Sequence, residues 1–473
     1  MNGSVDSPLP NRGLAANSDS AESVLATYIA DACDASVPDE VLVRARCHLI
    51  DTLAAILSGR FLPAGRFAYD FVAGAKAGNA ATLLGSTDRS SIEYAAFANA
   101  MAAHADETDD SHLRGRFHPG CGIVPAALAV AESVDASCDA LLKAIALGYD
   151  IGARSTMALG FSNPKTTAIS THAFGTLFGA AAASGALLGL SMKQAEALLS
   201  FTVQQASGLP YWNRDPDHVE KSFDFAGKSA RNGVFAALLA KAGMTAPERP
   251  LTGSRGYLEA YAEKAQPATL TDDLGNRYEI LHATIKKWSV GSPLQSMLDA
   301  IEKIFAEQAM TGDQIDAVEV RLPSDRIHVV DDRKMPAVCA QHLAALAILR
   351  GGVSFRDSHD GALMADPEIL ALRKKIRLVP DDDLAVARPE RQSIVSIRMT
   401  DGQVARHHAK VVRGTPDDPI APEEVAAKAE GILAPILPEG SRSLIDLCLE
   451  RDFAISDLVA ACRIDDAKAA GDG

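Results

Sequence analysis

Apolar residues recur at helical spacing through the first part of the chain. From about Ser23 onward they return every three or four positions, and Gly, Pro or Asp residues separate one run from the next. Several runs are rich in alanine, which favours helix. Helices are predicted over Tyr94–His104, Ile123–Val134, Ala140–Ala153, Gly175–Leu190, Met192–Ala206 and Ala230–Ala242.

The pattern changes after about Thr269, where alternation with a period of two appears. Strands are predicted over 315–322, 393–399 and 404–412, and helices over 338–349 and 369–377. The Asp401-Gly402 pair between two of these strands is a strong hairpin signal. Helical spacing returns after the Pro-rich segment 414–419.

These patterns predict a mostly α fold with two parts. A large, discontinuous, all-helical domain is expected over residues 21–270 and 415–465, and a smaller α+β domain over residues 271–414. Residues 1–20 are rich in Ser, Asn, Gly and Pro and lack the apolar run of a signal peptide, so we expect a disordered leader there.

Composition narrows the classes of function. The 473 residues are 47% hydrophobic and carry a formal net charge of -15, so no nucleic-acid-binding surface is expected, and an anionic substrate would need a local cationic pocket. No apolar run is long and unbroken enough to cross a membrane, and the cytoplasm is the expected location. The seven cysteines include no CxxC pair, which argues against a disulfide framework or an iron–sulfur site.

The densest group of polar residues lies between His104 and His118, directly after a predicted apolar helix. It holds four carboxylates, three histidines and two arginines. Such a loop can bring together a general base, a general acid and cations that bind a carboxylate. The alternatives are a solvated loop whose acids cap the next helix and an Asp/His metal site, although no ligand spacing here is diagnostic of a metal.

Other segments carry further candidate chemistry. His172 precedes a helix of small residues and is either functional or structural. Lys221 suits a substrate carboxylate or a proton donor, and the Lys286-Lys287 pair forms either an anion clamp or an exposed turn. His342 lies inside an apolar helical run, where it either belongs to a buried network or faces a cleft.

No known cofactor motif is present. The sequence contains no dinucleotide-binding glycine loop in a strand–helix context, no Walker A motif, no GxSxG elbow and no HExxH pair. Proton transfer without an organic cofactor is therefore the simplest enzymatic interpretation.

Several segments resemble signatures of the MmgE/PrpD family. His104-Ala-Asp-Glu-Thr-Asp-Asp-Ser-His112, followed by His118-Pro-Gly, resembles its H-x-x-D-[FY]-D-D-[TS]-x…H-P-[GS] motif. Gly175–Ala183 resembles its G-x-F-G-A-A-A-A helix, and Gly227–Gly233 resembles its G-x-x-A-x-x-G segment. The resemblance covers roughly residues 21 to 465.

The resemblance implies a helical domain with an α+β lid, an active site between the two, a homodimer, and no metal or other cofactor. It implies a lyase of the dehydratase type that removes a proton next to a carboxylate of a small, anionic di- or tricarboxylate. The alternatives are an epimerase or isomerase of an amino- or imino-dicarboxylate, a decarboxylase, and a non-catalytic relative that binds a carboxylate. The family includes 2-methylcitrate dehydratase, cis-aconitate decarboxylase and iminodisuccinate epimerase.

The residue patterns and the resemblance together define a candidate site without metal ligands. The predicted catalytic residues are His118, His172, Lys221, Asp109 and His342. The predicted substrate-binding residues are His104, Glu107, Asp110, Ser111, Arg116, Lys286 and Lys287. We expect the cations to bind the carboxylate and a neutral histidine, His118 or His172, to remove the proton. His342 or Asp109 would then protonate the leaving hydroxyl or the opposite face of the carbon.

The sequence departs from the family pattern at proposed acid/base positions. The K-x-x-H-x-G motif is here Lys221-Ser-Phe-Asp-Phe-Ala-Gly227, one residue longer and without the histidine. The usual tyrosine of the lid is replaced by Gln341-His342. These changes predict a divergent substrate.

Overall fold

A computed structural model describes residues 20–161, 168–450 and 452–465 of the chain. The predicted leader lies outside these ranges, except for Ser20, whose hydroxyl caps the first helix by accepting a hydrogen bond from the N–H of Ser23 at 3.2 Å. The N-terminal elements are α1 Ala21–Asp31, α2 Asp39–Gly59, α3 Pro63–Ala75, β1 Ala81–Thr82, β2 Arg89–Ser90, α4 Ile92–Ala103, α5 Gly120–Val134, α6 Cys138–Met157, α7 Thr171–Leu187, α8 Met192–Gln204, α9 Val219–Ser222, α10 Lys228–Lys241 and α11 Tyr257–Tyr261.

Glycines let the central helices α6 and α7 pack closely. A Cβ on Gly179 would lie 2.5 Å from the carbonyl oxygen of Gly148, and a Cβ on Gly152 would lie 2.5 Å from that of Gly175. Only glycine fits at such separations. A Cβ on Gly175 would also lie 2.6 Å from the Phe117 ring, so the start of α7 packs against the loop that precedes α5.

A four-stranded sheet forms the centre of the C-terminal part. Its strands are β3 Ile315–Pro323, β4 Ile376–Asp381, β5 Ser393–Met399 and β6 Val404–Ala409, in the order β4-β3-β5-β6. Strand β3 is parallel to β4 and antiparallel to β5, and β5 and β6 form the predicted hairpin. The accompanying helices are α12 Gln295–Glu307, α13 Ala340–Arg350, α14 Phe355–His359, α15 Pro367–Arg373 and α16 Asp382–Val386.

The helix predicted over 369–377 is wrong in its last residues. Helix α15 ends at Arg373, and Ile376 begins strand β4, where it pairs with Val318 of β3. Pairing with a strand distant in the chain overrides the local helical spacing here.

The C-terminal helices α17 Pro422–Leu433, α18 Ser441–Leu449 and α19 Ile455–Ala461 return to the N-terminal helices. One hydrophobic core joins them to α2, α4, α5 and α6, and a separate core lies within residues 290–409. The predicted fold class is therefore confirmed, while the boundaries at 270/271 and 414/415 stay predictions. Among the described residues, no helix has the length and apolar character needed to cross a lipid bilayer.

Candidate active site

The loop between α4 and α5 carries the predicted polar cluster into the interior. Residues 104–112 are all buried. Ser111 and Thr284 exchange backbone hydrogen bonds of 2.9 and 2.7 Å, which hold the loop beside the segment that carries Lys286. The alternative of a solvated loop is therefore wrong, and these buried carboxylates need partners inside the protein.

Asp109 joins two histidines and a lysine. Its Oδ2 lies 2.8 Å from Nδ1 of His104 and 3.1 Å from Nδ1 of His118, and its Oδ1 lies 3.7 Å from Nζ of Lys286. Burial raises the pKa of Asp109, but the two histidines and the lysine outweigh burial and hold that pKa well below its usual range. Because an ionised carboxylate only accepts hydrogen bonds, both histidines must present Nδ1–H to it.

Glu107 joins two lysines and a third histidine. Nζ of Lys221 donates to Oε1, and Nζ of Lys286 donates to the backbone oxygen of Glu107 at 2.7 Å and lies 3.4 Å from Oε2. Nε2 of His218 lies 3.8 Å from Oε1. Burial raises the pKa of Glu107, but the two lysines outweigh burial and hold that pKa well below its usual range. Lys286, which is fully buried, is thus held between Glu107 and Asp109.

Burial favours the uncharged form of three imidazoles in and beside this cluster, those of His118, His172 and His218. It lowers the pKa of His118 to about 4, with Lys286 adding to the effect, and that of His218 to about 3, with Lys221 adding to it. Burial, His118 and Lys221 together hold the pKa of His172 well below its usual range. With hydrogen on Nδ1, neutral His118 carries a lone pair on Nε2, as a general base requires.

A π-helical turn, Phe223–Gly227, accommodates the extra residue by which the segment 221–227 differs from the K-x-x-H-x-G motif. The N–H of Lys228 donates to the carbonyl oxygen of Phe223, five residues back, which is the π-helical pattern. The Asp224 carboxylate, near the expected position of the histidine, accepts a hydrogen bond from Nζ of Lys228 at 3.1 Å. Asp224 is therefore paired with a lysine outside the histidine cluster.

Phe225 of the same turn organises the rings of the site. It stacks on His172 with ring centroids 3.8 Å apart and on His104 at 4.7 Å, and Trp212 meets it edge-on at 4.7 Å. Nζ of Lys221 lies 5.1 Å from the centre of the Phe225 ring, within the range of a cation–π interaction. This aromatic packing fixes the orientation of imidazoles that have few hydrogen-bond partners.

His218 belongs to the site, although no sequence pattern predicted it there. It lies immediately before α9 with a left-handed backbone, φ 61°, and its ring centroid is 5.0 Å from that of His104. Its Nε2 is buried without a hydrogen-bond partner. The signal that could have found it is its position three residues before Lys221, which places both side chains on one face at a helix start.

Asp110 lies in a different environment from Asp109. Its Oδ1 accepts a hydrogen bond from the N–H of Gly120 at 2.8 Å, its Oδ2 accepts one from the Tyr149 hydroxyl at 2.5 Å, and Nδ1 of His48 lies 2.7 Å from Oδ2. Asp110 therefore anchors the start of α5 to α6 and α2. The hydroxyl of Ser111 is buried without a hydrogen-bond partner, so the contacts of this residue run through its backbone.

Asp106 connects the loop to the C-terminal part. Its Oδ2 lies 2.7 Å from Nε2 of His359 in α14, and both its oxygens accept hydrogen bonds from Thr108 at 2.8 Å. Burial lowers the pKa of His359, but Asp106 outweighs burial and raises that pKa above its usual value.

Three predicted site residues lie outside these contacts. Lys287 forms an ion pair of 2.5 Å with Glu302, and its Nζ lies 4.7 Å from the centre of the Trp288 ring. His342 is fully buried in α13 with neither ring nitrogen hydrogen-bonded, and burial lowers its pKa to about 4. Arg116 has a left-handed backbone, and its Nη1 is buried without a hydrogen-bond partner. The roles of these residues stay predictions.

One group of side chains within the described ranges has the composition of a metal site. His104, Asp109 and Cys121 each offer a ligand atom, and these atoms lie within 4.8 Å of one another. Burial and the neighbouring carboxylates raise the pKa of the Cys121 thiol well above its usual value, whereas a metal ligand must be a thiolate. The ammonium group of Lys286 beside Asp109 already supplies positive charge, so the arrangement fits a proton-transfer network better than a metal site.

Comparisons with known proteins match almost the whole described chain. The MmgE/PrpD N-terminal domain matches residues 23–270, and the MmgE/PrpD C-terminal domain matches residues 288–451. Cis-aconitate decarboxylase of Homo sapiens is 24% identical over 416 residues, which are 82% of this chain and 83% of that protein.

Two fungal relatives match over a shorter length. A cis-aconitate decarboxylase-like protein of Aspergillus oryzae is 27% identical over 300 residues, 59% of this chain and 60% of the relative. Cis-aconitate decarboxylase of Aspergillus terreus is 26% identical over 286 residues, 57% of this chain and 56% of the relative. The chain thus matches less than two thirds of the length of each fungal protein.

Proposed function

The chain belongs to the MmgE/PrpD family, and from this premise we propose that it is a lyase that transfers a proton at the carbon next to a carboxylate of a small di- or tricarboxylate. One observation carries the proposal. Neutral His118, oriented by ionised Asp109, lies in one buried cluster with the ammonium groups of Lys221 and Lys286. A base held by a carboxylate beside fixed cations suits the removal of a proton that leaves negative charge behind.

His118 is the proposed base. Its Nδ1 is occupied by Asp109, so Nε2 is the nitrogen that can take or return the substrate proton. His118 retains 7% of its surface exposed, whereas His104, bound to the same carboxylate oxygen, retains none. Between the two histidines that share Asp109, access to a substrate therefore favours His118.

Lys221 and Lys286 are the proposed stabilisers of the negative charge. When a proton leaves the carbon next to a carboxylate, charge develops on the carboxylate oxygens as an enolate-like anion. Fixed ammonium groups in a buried site stabilise such charge without reorganising. Glu107 contacts both lysines and so fixes their positions before the substrate binds.

The names of the relatives favour CO2 as the leaving group. In that reaction the electron pair of the broken C–C bond stays on the carbon skeleton, CO2 departs, and a proton that Nε2 of His118 takes up from water is delivered to the carbon. The loss of water predicted from the sequence uses the same base in the opposite direction: His118 takes the proton, and hydroxide leaves with a proton from a second group. Asp109 is ionised and His172 and His218 are uncharged, so none of them is a ready proton donor, and the ammonium group of Lys221 is the proposed group for that second role.

Proton NMR in heavy water tests the proposal. The purified protein is incubated with cis-aconitate, citrate and malate, and we expect consumption of at least one acid with deuterium at the carbon next to a carboxylate. Release of CO2 identifies a decarboxylase, an unsaturated product identifies a dehydratase, and exchange without bond cleavage identifies an epimerase instead of a lyase. If these acids raise the melting temperature but exchange no deuterium, the protein is a carboxylate-binding relative and the proposal fails.

A further inference from the structure

Thr108 lies between the two carboxylates of the candidate site, and each of its polar groups is hydrogen-bonded. Its N–H and its hydroxyl donate to the Asp106 carboxylate at 2.8 Å. Its backbone oxygen accepts a hydrogen bond of 3.0 Å from Nζ of Lys428. Because Glu107 and Asp109 flank Thr108, these bonds fix the peptide units that lead to both site carboxylates.

Lys428 reaches this loop from helix α17, 320 residues further along the chain. Its side chain is only 8% exposed, and its ammonium group lies between two acceptors. Nζ donates to the backbone oxygen of Thr108 and, at 2.6 Å, to Oδ1 of Asp51 in α2. The Thr108 oxygen belongs to the same peptide unit as the N–H of Asp109, so Lys428 holds the peptide that leads directly into Asp109.

Joining α17 to α2 does not by itself account for the ion pair of Lys428 and Asp51. Val425 and Ile432 of α17 already pack with α2 in one hydrophobic core. Burying two charges is costly, and apolar residues of similar volume often replace a buried ion pair without loss of stability. Oδ2 of Asp51 is also buried without a hydrogen-bond partner, which adds to this cost. The hydrogen bond to Thr108 is the contact that an apolar residue in place of Lys428 could not make.

Two lysines from distant segments thus hold consecutive backbone oxygens of the loop. Nζ of Lys286 donates to the oxygen of Glu107 at 2.7 Å, and Nζ of Lys428 donates to the next oxygen. Lys286 also lies 3.7 Å from Oδ1 of Asp109, so it contacts the site carboxylates directly. The hydrogen bonds of Lys428, in contrast, go to Asp51 and to the backbone. An effect of Lys428 on the reaction therefore passes through the position of Asp109.

We propose that Lys428 is a positioning residue of the candidate site. It fixes the peptide before Asp109, so that the Asp109 carboxylate meets Nδ1 of His118 and leaves Nε2 of that imidazole free. The proposal rests on the proposed function, because this position matters for the reaction only if His118 is the base. It gives helix α17 a role in the reaction as well as in the hydrophobic core.

Nitrogen NMR of histidine-labelled protein tests the orientation of His118 without a substrate. In the wild type we expect its hydrogen on Nδ1, and in Lys428→Met a division between the two neutral tautomers, because the acceptor carboxylate is no longer fixed. The His118 signals are those missing from His118→Asn. Lys143→Met is the matched control, since Lys143 also donates to one backbone oxygen, that of Cys33 at 3.2 Å, and pairs with one carboxylate, Asp139 at 2.7 Å. His118 should keep its hydrogen on Nδ1 in that variant.

Steady-state kinetics with an acid that the wild type converts test the consequence for the reaction. Lys428→Met should lower kcat by roughly ten- to a hundredfold, the usual loss when a supporting group is removed, with a smaller change in KM. Asp51→Asn removes the charge of the ion pair but keeps an oxygen for Nζ and the bond to Thr108, so its kcat should stay near that of the wild type. Lys428→Arg keeps a donor and should recover part of the lost activity.

A double variant separates positioning from a general loss of structure. In Asp109→Asn, which lacks the carboxylate, adding Lys428→Met should lower kcat no further, because both changes remove the same support of His118. Losses that multiply would mean that Lys428 acts independently of Asp109, and the positioning role would be wrong.

The outcomes distinguish this proposal from the proposed function. If the wild type converts an acid and Lys428→Met leaves either the tautomer of His118 or kcat as in Lys143→Met, the positioning role is wrong and the lyase proposal stands. If the tautomer shifts but the wild type converts no acid, Lys428 positions Asp109 and the lyase proposal is wrong. An unchanged tautomer together with an inactive wild type overturns both. If Lys428→Met does not fold because Asp51 is left unpaired, Lys428→Met combined with Asp51→Asn removes that charge and gives the same comparison.

Discussion

Asp109 and Asp110 are neighbours in the chain, both are buried, and each lies against histidine, yet they serve different regions of the molecule. Asp109 faces His104, His118 and Lys286, whereas the partners of Asp110 belong to α2, α5 and α6. The two side chains point to different sides of the loop, so one step along the chain moves a carboxylate from the candidate site into the helical core.

The two carboxylates differ in whether their partners keep a reactive group that a substrate can reach. Asp110 engages the backbone N–H of Gly120 and the hydroxyl of Tyr149, and its third partner, His48, is fully buried, so this carboxylate only holds helices together. The partners of Asp109 keep reactive groups free, since His118 retains its Nε2. A buried ionised aspartate is therefore evidence of catalysis only when its partners can still act on a substrate.

Replacing His118, which contacts Asp109, and His48, which contacts Asp110, should give the largest difference in kcat between two variants. His118→Asn should lower kcat by roughly 10²- to 10⁴-fold, the usual loss for a general base, with a melting temperature near that of the wild type. His48→Asn removes a contact of Asp110 and should cost about 2 kcal/mol of unfolding free energy, with kcat changed only a few-fold. Steady-state kinetics and urea unfolding measure both variants.

The exposed His328 provides the control for this pair, and His328→Asn should change neither quantity. If His48→Asn lowers kcat as much as His118→Asn does, the two carboxylates act as one network and the comparison fails.

Replacing Lys286 tests whether His118, the partner of Asp109, is the base that sets the pH dependence of activity. Burial and Lys286 both lower the pKa of His118, which lies at about 4, so the wild-type kcat/KM should stay flat from neutral pH down to about pH 5 and fall near pH 4. In Lys286→Met the acid limb should move to higher pH, because a nearby positive charge is lost. The adjacent Lys287→Met should leave the limb in place, since Lys287 pairs with Glu302. An unmoved limb in Lys286→Met would remove His118 from the role of base.

The smallest expected effect concerns Asp106, the carboxylate that contacts the C-terminal part. The pKa of His359 is raised on folding, so its contribution to stability is complete below the usual value of 6.5 and is lost as the pH rises through the folded value. Burial raises the pKa of Asp106, but His359 outweighs burial, so this pKa is lowered on folding. The contribution of Asp106 to stability is therefore lost as the pH falls below about 3.8.

His359→Gln should therefore lose about 2 kcal/mol of unfolding free energy near pH 5.5 and clearly less near pH 8.5, as measured by urea unfolding. An equal loss at both values would mean that the pair is not ionised.

Local patterns predicted most of the helices, because apolar spacing and small residues depend on positions close in the chain. They failed at Ile376, where a distant strand decides the structure. In the candidate site, too, local patterns found the segment but not the contacts between distant residues. The motif around His104 and His118 identified the loop, but residue order alone could not tell which carboxylate faces which partner, and no motif marks His218.

The sequence by itself determined the fold class, the family and the loop that carries the acids and histidines, since these follow from spacing and from residue order. Only the tertiary structure decided that Lys286 reaches Glu107 from 179 residues away and that a π-helical turn accommodates the longer motif. It also decided that Asp109 and Asp110 contact different partners. These outcomes depend on buried charges finding partners across the fold, because an unpaired ion inside a protein is too costly to keep, and such pairing leaves no trace in local periodicity.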